Sequence, residues 1–274
     1  MTPPRVLTIA GSDSGGSAGL QADLRTFFAC GAHGMSAVTA VTVQNSLEVR
    51  GVSVLPAEVV AAQIEAVAED IGVQAAKTGM LATAQIIAAV ARACDTVHIG
   101  RDGDVPFVVD PVAASMHGEQ LLRDDALDAL RTELFPRATL VTPNLDEVRL
   151  LTGITVTDRA GSRDAARALH ALGPRWVLVK GGHLRDDPEC VDLLYDGSEF
   201  LELPAERIDT EHTHGGGDTM ASAITVALAR GMAMPDAVRF GKRFVTESVR
   251  HAYPLGGGVG PVSPLWRVRP VGEI

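Results

Sequence analysis

Val6-Leu7-Thr8-Ile9-Ala10-Gly11-Ser12-Asp13-Ser14-Gly15-Gly16-Ser17-Ala18-Gly19-Leu20-Gln21-Ala22-Asp23 reads as a short apolar strand, a glycine-rich loop and the start of a helix that continues to Cys30. The same grammar recurs down the chain. Strands are predicted at 37–43, 49–55, 75–78, 107–109, 139–142 and 176–180, with a hairpin of 191–195 and 199–203 across Asp196-Gly197. Between and after them, helices are predicted at 56–70, 83–94, 124–134, 144–151, 162–172, 219–230 and 235–251. Short apolar strands alternating with helices of about ten residues or more specify an α/β layered fold with a mainly parallel sheet. No repeat or linker divides the chain, so residues 1–274 are expected to form one domain.

Composition narrows the function classes. With 46% hydrophobic and 21% charged residues over 274 positions, the chain has ample material for a core and too little charge for disorder. A net charge of −10 disfavours nucleic acid and anionic membranes as partners. Cys30, Cys94 and Cys190 are odd in number and widely spaced, which fits buried thiols in a reducing, cytoplasmic setting rather than zinc or a redox pair. The apolar run before Gly11 is too short for a signal core or a membrane span, and no other stretch reaches membrane length.

A second glycine run carries chemistry: His214-Gly215-Gly216-Gly217-Asp218-Thr219, leading into Met220 to Ala229. Glycines allow successive N–H groups to converge, and a helix N-terminus adds free donors and partial positive charge. Gly215, Gly216 and Gly217 thus form a candidate anion site, and Asp218 at its mouth a candidate proton acceptor; a simple helix cap is the competing reading of Asp218. The first glycine loop lacks the spacing of a dinucleotide fingerprint, and no acid ends the second strand, which argues against a dehydrogenase.

Other polar residues fall just after strands, at the edge where open α/β sheets bind ligands. Asp110 ends the strand Phe107-Val108-Val109 and Glu147 opens a helix, so together they are candidate magnesium ligands, directly or through water. Glu147 also fits a capping box with Asn144. Lys180, before Gly181-Gly182, is placed for a nucleotide phosphate or for a surface turn. Asp23 faces either solvent or a substrate hydroxyl, and Gln44 offers an amide suited to an aminopyrimidine edge or is a turn residue. The glycine-rich tail 255–261 is either a cover over a site or a surface loop.

Taken in order, these motifs resemble the hydroxymethylpyrimidine and phosphomethylpyrimidine kinases of thiamine biosynthesis, within the ribokinase-like superfamily. The resemblance rests on Gly11 to Asp23, on Ala37-Val38-Thr39-Ala40-Val41-Thr42-Val43-Gln44-Asn45 and on Lys77-Thr78-Gly79-Met80-Leu81. Thr142-Pro143-Asn144-Leu145-Asp146-Glu147, Val179-Lys180-Gly181-Gly182-His183 and Gly258-Val259-Gly260-Pro261-Val262 continue it along nearly the whole chain. It implies a three-layer α/β/α fold, usually a homodimer, and ATP and Mg2+ as cofactors. It implies that Gly11, Asp23, Gln44 and Met80 line a pyrimidine pocket. Lys180, and more weakly Lys242 on the last helix, then serve ATP, while Asp110 and Glu147 serve magnesium. The glycines 215–217 become the anion hole.

Two positions depart from the family pattern. Asp218 stands where these kinases often carry Cys, and the segment 113–118 stands where a Lys-Ser-Gly stretch is common. A carboxylate is a competent base, so Asp218 argues for an active kinase. The expected activity is phosphorylation of 4-amino-5-hydroxymethyl-2-methylpyrimidine and of its monophosphate. The competing readings are a pyridoxine or pyridoxal kinase and a non-catalytic sensor of pyrimidine phosphate.

Overall fold

The computed structural model describes residues 2–113, 122–182, 184 and 188–268. Nine strands form one sheet in the order β3-β2-β1-β4-β5-β6-β7-β8-β9. The parallel centre comprises β2 (His33–Gln44), β1 (Arg5–Ser12), β4 (Ala75–Thr78), β5 (Phe107–Val109), β6 (Leu140–Val141) and β7 (Trp176–Val179). Antiparallel strands close both edges: β3 (Val49–Val54) pairs with β2, while β8 (Asp192–Tyr195) and β9 (Phe200–Leu203) form the expected hairpin beside β7.

Strand alternation sorts the side chains into two cores. Leu7, Ile9, Phe107, Val109, Val177 and Val179 face α2 (Ala57–Asp70), α3 (Ala84–Thr96), α4 (Asp124–Ala129), α5 (Leu145–Thr152) and α6 (Arg159–His170). Val6, Ala75, Val108, Leu140 and Leu178 face the other layer, which holds α1 (Gly19–Ala29), α7 (Gly216–Ala229) and α8 (Met234–Arg250). This is the expected three-layer ribokinase-like α/β/α architecture. From β1 the chain crosses through α1 to β2, and from β4 it crosses through α3 to β5 on the opposite side. The loops after β1 and β4 therefore diverge and leave a crevice at the carboxyl edge of the sheet.

Three boundaries differ from the sequence reading in ways that matter. Strand β2 begins at His33, because His33–Ser36 pairs with Arg5–Thr8 of β1, although Met35 is the one large apolar side chain in that segment. Helix α6 begins at Arg159, capped by the Asp158 side chain, which accepts from the Gly161 N–H at 2.7 Å. Helix α7 begins at Gly216, so two glycines and Asp218 form its first turn instead of preceding it.

Gly215 is the N-cap of α7, with φ at +76°. A β-carbon there would stand 2.0 Å from the Ser17 carbonyl oxygen, so the two glycine loops interlock at a contact that excludes any side chain. Gly215→Ala is expected to cost about 1–3 kcal/mol of stability, from both the unfavourable φ and the clash. Denaturant unfolding of the variant beside the parent measures it.

Candidate functional site

The site is assembled where β1, β4, β5 and β7 end and α7 begins. Its floor follows from strand parity. In the four-residue strand Ala75-Ala76-Lys77-Thr78, Lys77 shares the face of Ala75 and so points into the α1/α7 layer. An ammonium there must be paired. Lys77 is completely buried; its Nζ donates to Asp23 Oδ1 at 2.8 Å and lies 3.5 Å from Asp218 Oδ1. Asp23 also accepts from the hydroxyls of Thr8 and Ser222, each at 2.6 Å. Burial pushes the Asp23 carboxyl up to about 6, against the pull of Lys77. Burial likewise disfavours the Lys77 charge, yet Asp23, Asp218 and Asp110 together hold its pKa above the usual lysine value.

This geometry corrects the expectation for Asp23. Its carboxylate is fully buried and committed to Thr8, Lys77 and Ser222, so it braces the site from beneath and offers no oxygen to a substrate hydroxyl. Lys77 was not singled out in the sequence, although a lysine inside a short apolar strand is itself the signal of a buried ion pair.

A second group of charges lies beside the first. Lys180, just past β7, donates to Asp110 Oδ1 at 2.8 Å, and the Thr142 hydroxyl donates to the same oxygen at 2.8 Å. Against the cost of burial, Lys180 and Lys77 hold the Asp110 carboxyl below the usual carboxylate range. Glu147 forms the capping box read from sequence: it accepts from the Asn144 N–H at 2.8 Å, and Asn144 Oδ1 accepts from the Glu147 N–H at 2.9 Å. Burial pushes the Glu147 carboxyl up to about 8, with Asp110 reinforcing and Lys180 opposing the shift. A buried acid beside an ionised carboxylate is suited to a divalent cation, which would relieve both the burial cost and the repulsion. The residues therefore fit magnesium, which Asp110 and Glu147 would hold through their carboxylate oxygens.

Helix α7 ties the two groups together. A methyl group at Gly217 would stand 3.2 Å from Lys180 Nζ and 3.6 Å from Asp110 Oδ2. Asp218, the next residue, reaches Lys77. The first turn of this 14-residue helix thus presents N–H groups that have no intrahelical acceptor, next to one lysine on each side.

Of the residues expected at a pyrimidine pocket, Gly11 and Met80 are in contact: a methyl group at Gly11 would lie 2.5 Å from Met80 Cε. Gln44, at the end of β2, is half-buried, and its Nε2 lies 3.3 Å from His214 Nε2. The Ser14 hydroxyl links to the Gln44 backbone, donating to its carbonyl at 2.8 Å. Gln44 is thereby held between the two glycine loops.

Lys242 departs from its expected role. Its Nζ is paired with Asp192 Oδ2 at 2.7 Å, while Asp192 Oδ1 accepts from the Gly181 N–H at 2.9 Å. The ammonium therefore steadies the turn after Lys180 through Asp192 and is not presented to a nucleotide. The tail 255–261 crosses between the loops: the Gly258 N–H donates to Ser46 Oγ at 3.3 Å and the Gly260 N–H to His212 Nδ1 at 3.1 Å. Residues 114–118 of the segment after Asp110, and His183, lie outside the described residues.

Comparison with known proteins finds kinases along nearly the whole chain. The family model described as phosphomethylpyrimidine kinase matches residues 13–263. The hydroxymethylpyrimidine/phosphomethylpyrimidine kinase of Mycobacterium tuberculosis (strain ATCC 25618 / H37Rv) is 62% identical over 98% of this chain and 96% of that protein. Among solved structures, an ADP complex of Bacillus subtilis pyridoxal kinase superposes with a TM-score of 0.89, at 36% identity over 98% of this chain and all of that one. The phosphomethylpyrimidine kinase of Clostridium difficile 630 superposes at 0.78, with 39% identity over 89% of this chain and 99% of that one.

The Glu147 shift carries a sign. Between its ordinary value of 4.5 and about 8, the folded protein binds a proton that the unfolded chain has lost. Without magnesium, this group makes stability fall as pH rises through that window. Glu147→Gln is expected to flatten that decline, so that its stability relative to the parent improves steadily towards pH 8. Urea unfolding at several pH values in chelator tests this.

Proposed function

The chain belongs to the phosphomethylpyrimidine kinase family, and we propose that it transfers the γ-phosphoryl group of ATP to 4-amino-5-hydroxymethyl-2-methylpyrimidine and then to the resulting monophosphate, for thiamine biosynthesis. The observation that carries the reading is the first turn of α7: a carboxylate and a lysine ammonium meet at one helix N-terminus, Asp218 beside Lys77 and Gly217 beside Lys180.

In this reading, Gly11, Met80 and Gln44 hold the pyrimidine at the crevice between the loops after β1 and β4. The substrate oxygen attacks the γ-phosphorus, the bond to the β-phosphate bridging oxygen breaks, and Asp218 accepts the hydroxyl proton. Lys180 and the N–H groups of Gly215 and Gly217 stabilise the charge spreading over the transferring group, while the Gly216 N–H is held by the Thr213 carbonyl at 3.2 Å. Magnesium, when bound by Asp110 and Glu147, supplies further charge neutralisation of the nucleotide phosphates. The whole chain works as one kinase domain in the cytoplasm; among the described residues no helix is long and apolar enough to cross a membrane.

Mass-resolved product analysis with Mg-ATP tests the substrate. Pyrimidine monophosphate followed by diphosphate supports the reading. Pyridoxal phosphate in a parallel reaction, with no pyrimidine product, would move the activity to that of the structural relative from Bacillus subtilis. Asp218→Asn is expected to lower the transfer rate about 10²-fold or more with folding intact; near-normal turnover would remove Asp218 as the base.

We also propose that the chain forms a homodimer through the β2–β3 hairpin. Val41 and Val43 on one face, and Val52 and Val54 on the other, are each 45–57% exposed. Apolar side chains exposed on both faces of an edge hairpin are a self-association surface rather than a solvated one. Sedimentation should show a dimer for the parent and a monomer for the Val43→Lys/Val52→Lys double variant.

A further inference from the structure

Asp23, Lys77 and Asp218 form a line of alternating charge drawn from three elements, α1, β4 and α7. Only Asp218 is on the open side, with its side chain 13% exposed; Lys77 and Asp23 have no exposed side-chain surface. The alignment is over-determined. Thr8 from β1 and Ser222 from α7 fix the far carboxylate, so Lys77 Nζ is held at a set point beneath Asp218. Gly79 keeps the approach clear: a methyl group there would stand 3.6 Å from Lys77 Nζ and 3.7 Å from Asp218 Oδ1.

We propose that Lys77 and Asp23 are positioning residues for the transfer: Lys77, anchored by Asp23, fixes the Asp218 carboxylate and sets the pH at which it takes up a proton. The inference rests on Asp218 being the base. A cation against a general base has two opposed effects. It aims the carboxylate and keeps it ionised, but an uncompensated cation would also weaken it as a proton acceptor. Asp23 supplies the compensation, because its negative charge lies on the far side of the same ammonium. The burial of Lys77 and Asp23, against an Asp218 side chain only 13% exposed, makes these effects larger than they would be in water. The remaining charges around the line are Lys180 after β7, Asp110 after β5 and Glu147 on α5, and each is left unchanged in the test.

Shifts of opposite sign are expected. Asp23→Asn leaves Lys77 uncompensated, so the acid limb of the pH–rate profile should move to lower pH. Lys77→Met leaves Asp23 facing Asp218, so the limb should move to higher pH. Each displacement is expected to be about half a pH unit or more, and the double variant should lie between the two single variants. The measurement is the single-turnover rate of phosphoryl transfer from ATP to the pyrimidine as a function of pH. Asp23→Asn preserves shape and can keep its bonds with Thr8 and Ser222, so it decides the question even if Lys77→Met does not fold.

Opposite shifts support the inference. An unmoved limb in Asp23→Asn, or displacement of both single variants in the same direction, overturns it, since a loosened fold alone would produce no ordered pair. Asp218→Asn in the same assay separates the two levels. If that variant is near normal, the reading of Asp218 as base fails. If it is inactive while the limb stays fixed in the others, only the role of Lys77 and Asp23 fails.

Discussion

The structure depends on the pairing of charges that the fold has removed from water. At the carboxyl edge of the sheet, Lys77 and Lys180 are each in contact with carboxylates, and Asp23, Asp110 and Glu147 are all buried. Isolated, any one of these charges would be costly enough to change its protonation or disrupt the core. Together they form an alternating set in which removing a partner typically costs about 3–5 kcal/mol, because the other charge is stranded. In the proposed reaction, the same low-dielectric surroundings that impose this penalty would make the groups effective on a phosphoryl group carrying several negative charges.

The two cores explain how such a set is held. β4 supplies Lys77 to one face, where Asp23 of α1 pairs with it and Ser222 of α7, far away in sequence, bonds to Asp23. β5 and β7 end in Asp110 and Lys180, which meet across the sheet edge. The N-terminus of α7 settles onto both groups only because Gly215 tolerates a left-handed backbone against Ser17 and Gly217 adds no side chain over Lys180. Small residues at these points let a helix terminus approach buried charge closely.

The separation between floor and rim also accounts for the pattern of relatives. In the proposed reaction the charged floor would deal with phosphate and a hydroxyl proton, chemistry common to any kinase acting on a ring hydroxymethyl group. Gly11, Met80 and Gln44 lie at the rim, where the ring would be distinguished. A fold shared with both a pyridoxal kinase and a phosphomethylpyrimidine kinase is therefore consistent with one floor serving different rims. Sequence identity of 62% to a pyrimidine kinase, against 36% to the pyridoxal kinase, favours the pyrimidine assignment.

The sequence by itself determined the layered α/β fold, because strand and helix periodicities differ and are local. It also determined that a glycine run opens α7, the Asn144–Glu147 capping box and the strand-end positions of Asp110 and Lys180, all features set within a few residues. The tertiary structure decided which charges touch. Asp23 and Ser222 are 199 residues apart and meet at 2.6 Å, and Lys242 meets Asp192 across 50 residues. No local pattern could show that Asp23 faces a buried lysine rather than a substrate, or that Lys242 is already occupied. Such partners are selected by long-range packing, where the need to neutralise a buried charge outweighs what either residue prefers alone.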